Sequence, residues 1–181
     1  PYTIKTIDNQ TEMICMTSLG RWILLAFCCC AAAQLSASTA WGWIERVAGD
    51  DSNIVKSVVM DDFGHIYVTG CFSGTADFGD DITLESDGYS DVFIAKYQLD
   101  GICLWAKRGG GTGDDVGLSI VFDNNSCVYI TGSFEGSAEF DGDYVNAFGS
   151  TDTFLVKYTE DGEVSWAKRA GCEVEDLGTS V

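Results

Sequence analysis

From residue 43 onward, apolar residues come in short runs separated by Gly, Asp and Asn, and no 3.6-residue period survives. Residues 116–122, 127–134, 153–158 and 164–169 are rich in β-branched and aromatic side chains, and residues 109–113, 123–126 and 160–162 punctuate them as turns. Asp100-Gly101 and Asp161-Gly162 stand between apolar runs, where Asp-Gly supplies the positive φ that a tight hairpin needs. Consecutive strands are therefore expected to pair as an antiparallel meander.

The pattern repeats. Residues 43–78 align with 105–140 at an offset of 62, residues 91–105 align with 152–166 at an offset of 61, and 20 of the 51 aligned positions are identical. Ordinary composition gives about three. Among the matches are Trp43, Trp105 and Trp166, Asp61 and Asp123, Gly70 and Gly132, Asp91 and Asp152, and Lys96 and Lys157, which are read as structural repeat residues. A third copy begins at Trp166, where residues 176–181 match 115–120. A four-stranded unit with a Trp at the same place each time implies blades packed face to face, and runs such as 127–130 are apolar on both sides, as burial of both blade faces requires. A tandem immunoglobulin-like sandwich needs about 100 residues per unit, and a parallel β-helix uses much shorter coils. The fold class expected is all-β: propeller blades of four-stranded antiparallel meanders in an incomplete ring. Closure typically takes four to eight blades, so residues 41–181 alone are expected to expose unpaired blade faces and edges.

The motifs Trp105-Ala-Lys107, Asp115, Asp123, Tyr129-Ile-Thr-Gly132-Ser-Phe134, Asp152-Thr-Phe154-Leu-Val-Lys157-Tyr158 and Asp161-Gly162 together resemble the bacterial β-propeller repeat family, which has seven-bladed members. The resemblance covers almost all of residues 43–181. Two departures stand out: Ile44-Glu45 replaces Ala-Lys in the first copy, and Ser126 stands where the first copy has Gly64. The resemblance implies an exported repeat scaffold, often part of a larger surface or secreted protein, with no conserved catalytic set.

The first forty residues differ. Residues 22–33 form an uncharged apolar run preceded by Arg21 and followed by small residues up to Ala40, too short to span a bilayer and suited to a secretory signal peptide. Phe27 before Cys28 does not suit a lipoprotein signal. Met16 is a suitable initiator, so the organisation expected is 1–15 upstream read-through, 16–40 signal peptide, 41–104 first blade repeat, 105–165 second, and 166–181 the start of a third that is cut short. Bacterial export, a secreted or cell-surface location and no membrane span in the mature chain follow.

Charge and chemistry narrow function further. The 28 acidic and 10 basic residues give a net charge of −18, which repels a phosphate backbone and argues against nucleic-acid partners. Cys71, Cys103, Cys127 and Cys172 fall outside the leader, none in a CxxC pair, and are read as scattered strand thiols, with disulfide pairing left open. The only histidine, His65, lacks a nucleophile motif and is assigned no chemistry. No carboxylate pair stands out as a glycosidase dyad, and the Gly-rich run 109–113 lacks the Lys-Ser/Thr ending of a phosphate loop. No catalytic or cofactor-binding residue is assigned. Asp77, Asp80 and Asp81, with Glu139, Asp141 and Asp143 at equivalent positions, concentrate the hard oxygen ligands that calcium takes, but without EF-hand spacing they are read first as solvated acidic loops. Lys96 and Lys157 are expected to form structural ion pairs with a repeated Asp, and the repeated aspartates to close turns through their own side chains. The function expected is an exported, non-catalytic repeat scaffold binding protein or carbohydrate. The competing reading is an accessory or targeting portion of a secreted hydrolase or quinone-type oxidoreductase. Residues that break the repeat would distinguish a site from scaffold.

Overall fold

The computed structural model describes residues 14–15, 44–45, 48–49, 51–123 and 125–181. The signal-peptide segment 16–40 and Trp43 lie outside the described residues, as does the upstream segment 1–15 apart from Ile14–Cys15. The strands are β1 (Ile14–Cys15), β2 (Ile44–Glu45), β3 (Ala48–Gly49), β4 (Asn53–Met60), β5 (Ile66–Phe72), β6 (Thr75–Asp77), β7 (Thr83–Glu85) and β8 (Asp91–Tyr97). They continue with β9 (Cys103–Gly111), β10 (Val116–Phe122), β11 (Cys127–Phe134), β12 (Ser137–Phe140), β13 (Asp143–Asn146), β14 (Asp152–Thr159) and β15 (Val164–Ala170). β1 pairs with β2 in a short antiparallel ribbon.

Two antiparallel meanders carry the architecture: β4-β5-β8-β9 and β10-β11-β14-β15. We call them blade 1 and blade 2. Their sheets do not close into a ring. The three-residue loops ending in Gly101 (φ 98°) and Gly162 (φ 82°) close the last hairpin of each blade, with Gln98 N donating to Ile102 O at 2.8 Å and Thr159 N to Glu163 O at 2.8 Å. The register slips by one residue beside each loop, as expected when a left-handed glycine follows a type I turn. Gly70 and Gly132 let neighbouring strands approach: a Cβ there would stand 1.9 Å from Ile54 O or Val116 O.

The meander is not the whole repeat. Between its second and third strands each blade sends out a small hairpin, β6–β7 or β12–β13, which pairs with a strand of the preceding unit. Glu139 and Ala138 pair with Gly110 and Gly111, so the blade 2 hairpin extends the blade 1 sheet to six strands, and Asp77 and Ala76 pair with Ala48 and Gly49. These runs of three or four residues were too short to stand out in the sequence. Trp105 lies inside β9 and Trp166 inside β15, so each sequence period starts in the last strand of a blade, and the blades themselves meet in the loop 112–115.

Packing follows the two-residue alternation of strands. Ile66, Val68 and Phe72 of β5 join Phe93, Ala95 and Tyr97 of β8, and Ala76 and Phe78 of the hairpin, in one buried cluster. Tyr67, Val92 and Ile94, on the opposite face of the same strands, join Ile120, Val128, Ile130, Phe134, Phe154 and Val156 in a second cluster between the blades. β5 and β8 are thus buried at every position, whereas β14 alternates buried and half-buried. Each large apolar side chain so buried contributes about 1.5–3 kcal/mol.

Candidate binding rim and blade junction

Tyr67, Lys96 and Trp105 are cross-strand neighbours on β5, β8 and β9, forming a row on the blade 1 face that meets blade 2. Trp105 meets the Tyr67 ring edge-on at 6.1 Å, and Lys96 Nζ lies 5.2 Å over that ring. Phe122 of blade 2 stacks on Tyr67 at 5.6 Å. Both Lys96 Nζ and Trp105 Nε1 donate to the Glu160 carbonyl at 3.1 Å. Deeper in the joint, Ile120 N donates to Ser57 Oγ at 3.3 Å, and a Cβ on Gly117 would stand 2.3 Å from Thr69 Oγ1.

Blade 2 presents the same row on its other face. Trp166 meets Tyr129 at 6.1 Å, and Lys157 lies 5.3 Å over Tyr129. The third-copy residues 176–181 sit there as 115–120 sit on blade 1: Val181 N donates to Ser119 Oγ, and Gly178 abuts Thr131 and the Gly132 carbonyl. The structure corrects one expectation here. Among the described residues neither Lys96 nor Lys157 is ion-paired with an aspartate; each is held over a tyrosine ring, and Lys96 also by a backbone carbonyl, because each lysine is the cross-strand partner of that tyrosine and shares its face of the sheet.

Asp61 and Asp123 occupy the turn between first and second strands. Asp61 Oδ1 accepts from Phe63 N (2.9 Å) and His65 N (2.8 Å), while its Oδ2 faces His65 Nδ1 (2.8 Å) and Tyr67 Oη (3.3 Å). Burial raises its carboxyl pKa, but the His65 and Phe63 hydrogen bonds outweigh burial and hold it below the usual range. Asp123 repeats the pattern through Asn125 N, Cys127 N and Tyr129 Oη. Ser126 takes φ 59°, left-handed like Gly64 at 89°, so the sequence departure at Ser126 leaves the left-handed turn intact.

Among the described residues the ion pairs made by Lys or Arg belong to arginines. Arg108 Nη1 lies 2.7 Å from Asp91 Oδ2 and 2.6 Å from Asp87 Oδ2, and Nη2 lies 3.8 Å from Glu139 of the hairpin. Arg169 Nη1 meets Asp152 Oδ2 at 2.7 Å. Arg46, Arg108 and Arg169 recur at the same offsets, a periodic signal as readable in the chain as that of the lysines. Asp91, Asp115 and Asp152 are wholly buried. Asp115 accepts from Gly111 N (2.7 Å) and Glu135 N (3.1 Å), tying the start of blade 2 to the end of blade 1.

One rim carries a groove of about 300 Å³ lined by Phe63, Gly64, His65, Gln98, Leu99 and Asp100. It lies between the β4–β5 and β8–β9 turns. Phe63 is 78% and Leu99 58% exposed. At the offsets of the repeat the blade 2 residues are Asn125, Cys127, Thr159 and Glu160 in place of Phe63, His65, Gln98 and Leu99, so this rim breaks the symmetry that the scaffold keeps.

The acidic runs are the hairpin turns. Asp80 (φ 53°) and Asp81 (φ 64°), and Asp141 (φ 50°) with Gly142 (φ 93°), take the left-handed conformations that Asp and Gly tolerate there. Asp77 Oδ1 accepts from Gly79 N, Asp80 Oδ2 from Cys103 N, Glu139 Oε1 from Gly142 N and Asp143 Oδ2 from Ala167 N. Among the described residues no three His, Cys, Asp or Glu side chains converge as a metal-binding group. Cys71 and Cys103 are buried in β5 and β9, Cys127 is half-buried and Cys172 exposed, with no disulfide among the described residues. No described helix is long and apolar enough to cross a membrane.

No family model matches the chain. It is 32% identical over 142 residues to the regulatory protein FlaEY of Caulobacter vibrioides, an alignment spanning 76% of this chain and 15% of that protein. It is 31% identical over 98 residues to an uncharacterized WD repeat-containing protein of Acanthamoeba polyphaga mimivirus, spanning 51% of this chain and 7% of that one. With its repeated antiparallel blades, the chain has a β-propeller-like repeat fold.

Proposed function

We propose that the chain is part of a non-catalytic propeller scaffold that engages a protein partner through the rim formed by Phe63, His65, Gln98 and Leu99. The observation that carries this reading is the asymmetry. Residues shared by both blades are occupied in building the blades and joining them, whereas the exposed apolar and polar side chains of this rim occur in one blade only. Similarity to a regulatory protein and to a WD repeat-containing protein supports a binding role, and the chain spans a small fraction of either. Export through residues 16–40, and carbohydrate as an alternative ligand, belong to the same proposal and rest on the sequence pattern. A photo-crosslinking amino acid at position 63, compared with one at Asn125, tests it: a discrete adduct from position 63 alone is expected, and equal or no capture from both overturns it.

A further inference from the structure

The joint between the blades holds two wholly buried carboxylates that converge on one backbone position. A Cβ on Gly110 would stand 2.7 Å from Asp115 Oδ2 and 3.0 Å from Asp91 Oδ1. They are unequally served. Asp91 Oδ2 accepts from Arg108 Nη1 and Asp87 N, while its Oδ1 is buried with no partner among the described residues. Asp115 accepts two backbone N–H groups, and no described cation is bonded to it. A buried carboxylate oxygen without a donor is costly, and two like charges at close range inside a protein even more so.

We propose that Asp115 holds a proton and donates it to Asp91 Oδ1, making the joint a pH-sensitive clasp that is tightest in mild acid and loosens as that proton is lost. One proton removes both costs: it supplies the missing donor, and it leaves Asp91 ionised against Arg108. The surrounding charges are mostly negative, comprising Asp87 in the 86–90 loop, Asp114 in the blade-to-blade loop, Glu135 after β11 and Glu139 on β12, with Arg108 the cation bonded to Asp91, Asp87 and Glu139. Burial and the Asp91 charge together push the Asp115 carboxyl up to about 6 against its backbone hydrogen bonds, and burial pushes Asp91 up as well. Two comparisons within the chain agree. The first copy has Asn53, neutral and buried, where the second has Asp115. In blade 2, Asp152 Oδ1 has Gly149 N as a donor, and its carboxyl is held low despite burial, by the Phe148 N–H and Arg169.

Because the folded Asp115 pKa is raised above its unfolded value, its contribution to stability is complete below about pH 4 and is lost as pH rises through about 6. Denaturant unfolding of the wild type should therefore show uptake of about one extra proton on folding near pH 5, falling to none by about pH 8. Asp115→Asn should remove that proton from the slope, while Asp62→Asn, an equal charge change at an exposed position, should keep it. An Asp115→Asn slope equal to that of the wild type overturns the proposal. Should that variant fail to fold, infrared spectra of the wild type decide. A protonated-carboxyl band present at pH 6 and gone by pH 8 is expected, and no such band at pH 6 overturns the proposal.

Discussion

The indole of Trp105 lies against Gly162: a Cβ on that glycine would sit 2.8 Å from indole Cδ2, and Trp105 Nε1 donates to the carbonyl two residues earlier. One blade's tryptophan thus closes over the next blade's hairpin turn. Gly162→Ala combines an unfavourable φ of 82° with displacement of the indole, and is expected to cost about 2–4 kcal/mol. Gly142→Ala has a similar φ of 93° but open space around it, so it should cost only about 1 kcal/mol. Equal losses in urea unfolding would mean that the indole gives way freely.

Arg108 and Arg169 are equivalent in sequence but should differ in consequence. Removing Arg108 leaves Asp91 buried at the joint beside Asp115 and unties the hairpin residue Glu139, so Arg108→Ala is expected to cost about 3–5 kcal/mol. Arg169 is one-third exposed and its aspartate has backbone donors at both oxygens, so Arg169→Ala should cost about 1 kcal/mol. The comparison is a pair of urea melts at pH 7, and a larger loss at Arg169 would reverse the ranking.

Asp61 titrates in the opposite sense to Asp115. Its folded carboxyl pKa is lowered, so its contribution to stability is present above the ordinary aspartate pKa and is lost as pH falls through the folded value. Asp61→Asn should therefore weaken the protein by about 1–3 kcal/mol at pH 7 and by less at pH 3. A deficit that grows on acidification would contradict this.

Phe63→Ser should leave the urea midpoint almost unchanged, within about 0.5 kcal/mol, because the ring is 78% exposed. It should abolish the adduct captured at an adjacent crosslinker position on the rim. A large loss of stability would instead give Phe63 a structural role.

Much of this was legible in the chain itself. The four long strands per period were marked by β-branched and aromatic runs, and the Asp-Gly hairpins by the need for positive φ. The hairpins β6–β7 and β12–β13 were not, since their strands are short and their acidic turns resemble ligand loops. Lys96 was visible as a repeated residue, but its partners, a tyrosine ring and a backbone carbonyl rather than a carboxylate, follow only from the face of β8 that it occupies. Arg108 was equally periodic and equally readable. The exchange of Asn53 for Asp115 carried the only sequence trace of the buried carboxylate pair, and burial of both acids at one glycine emerges only from the packing of two blades. The rim falls where the repeat is broken, at Phe63, His65, Gln98 and Leu99 against Asn125, Cys127, Thr159 and Glu160.

The phase of the repeat has a consequence for inheritance. A segment cut at its tryptophans, 105–165, begins partway along one blade's last strand and includes the turn 160–162 that the same indole covers. Duplication or loss of one such segment would copy or delete an indole together with the turn it caps. Each remaining tryptophan would still find its seat. What is copied is a joint rather than a blade, and a gene built from such pieces can change its number of repeats without leaving either half of that contact behind.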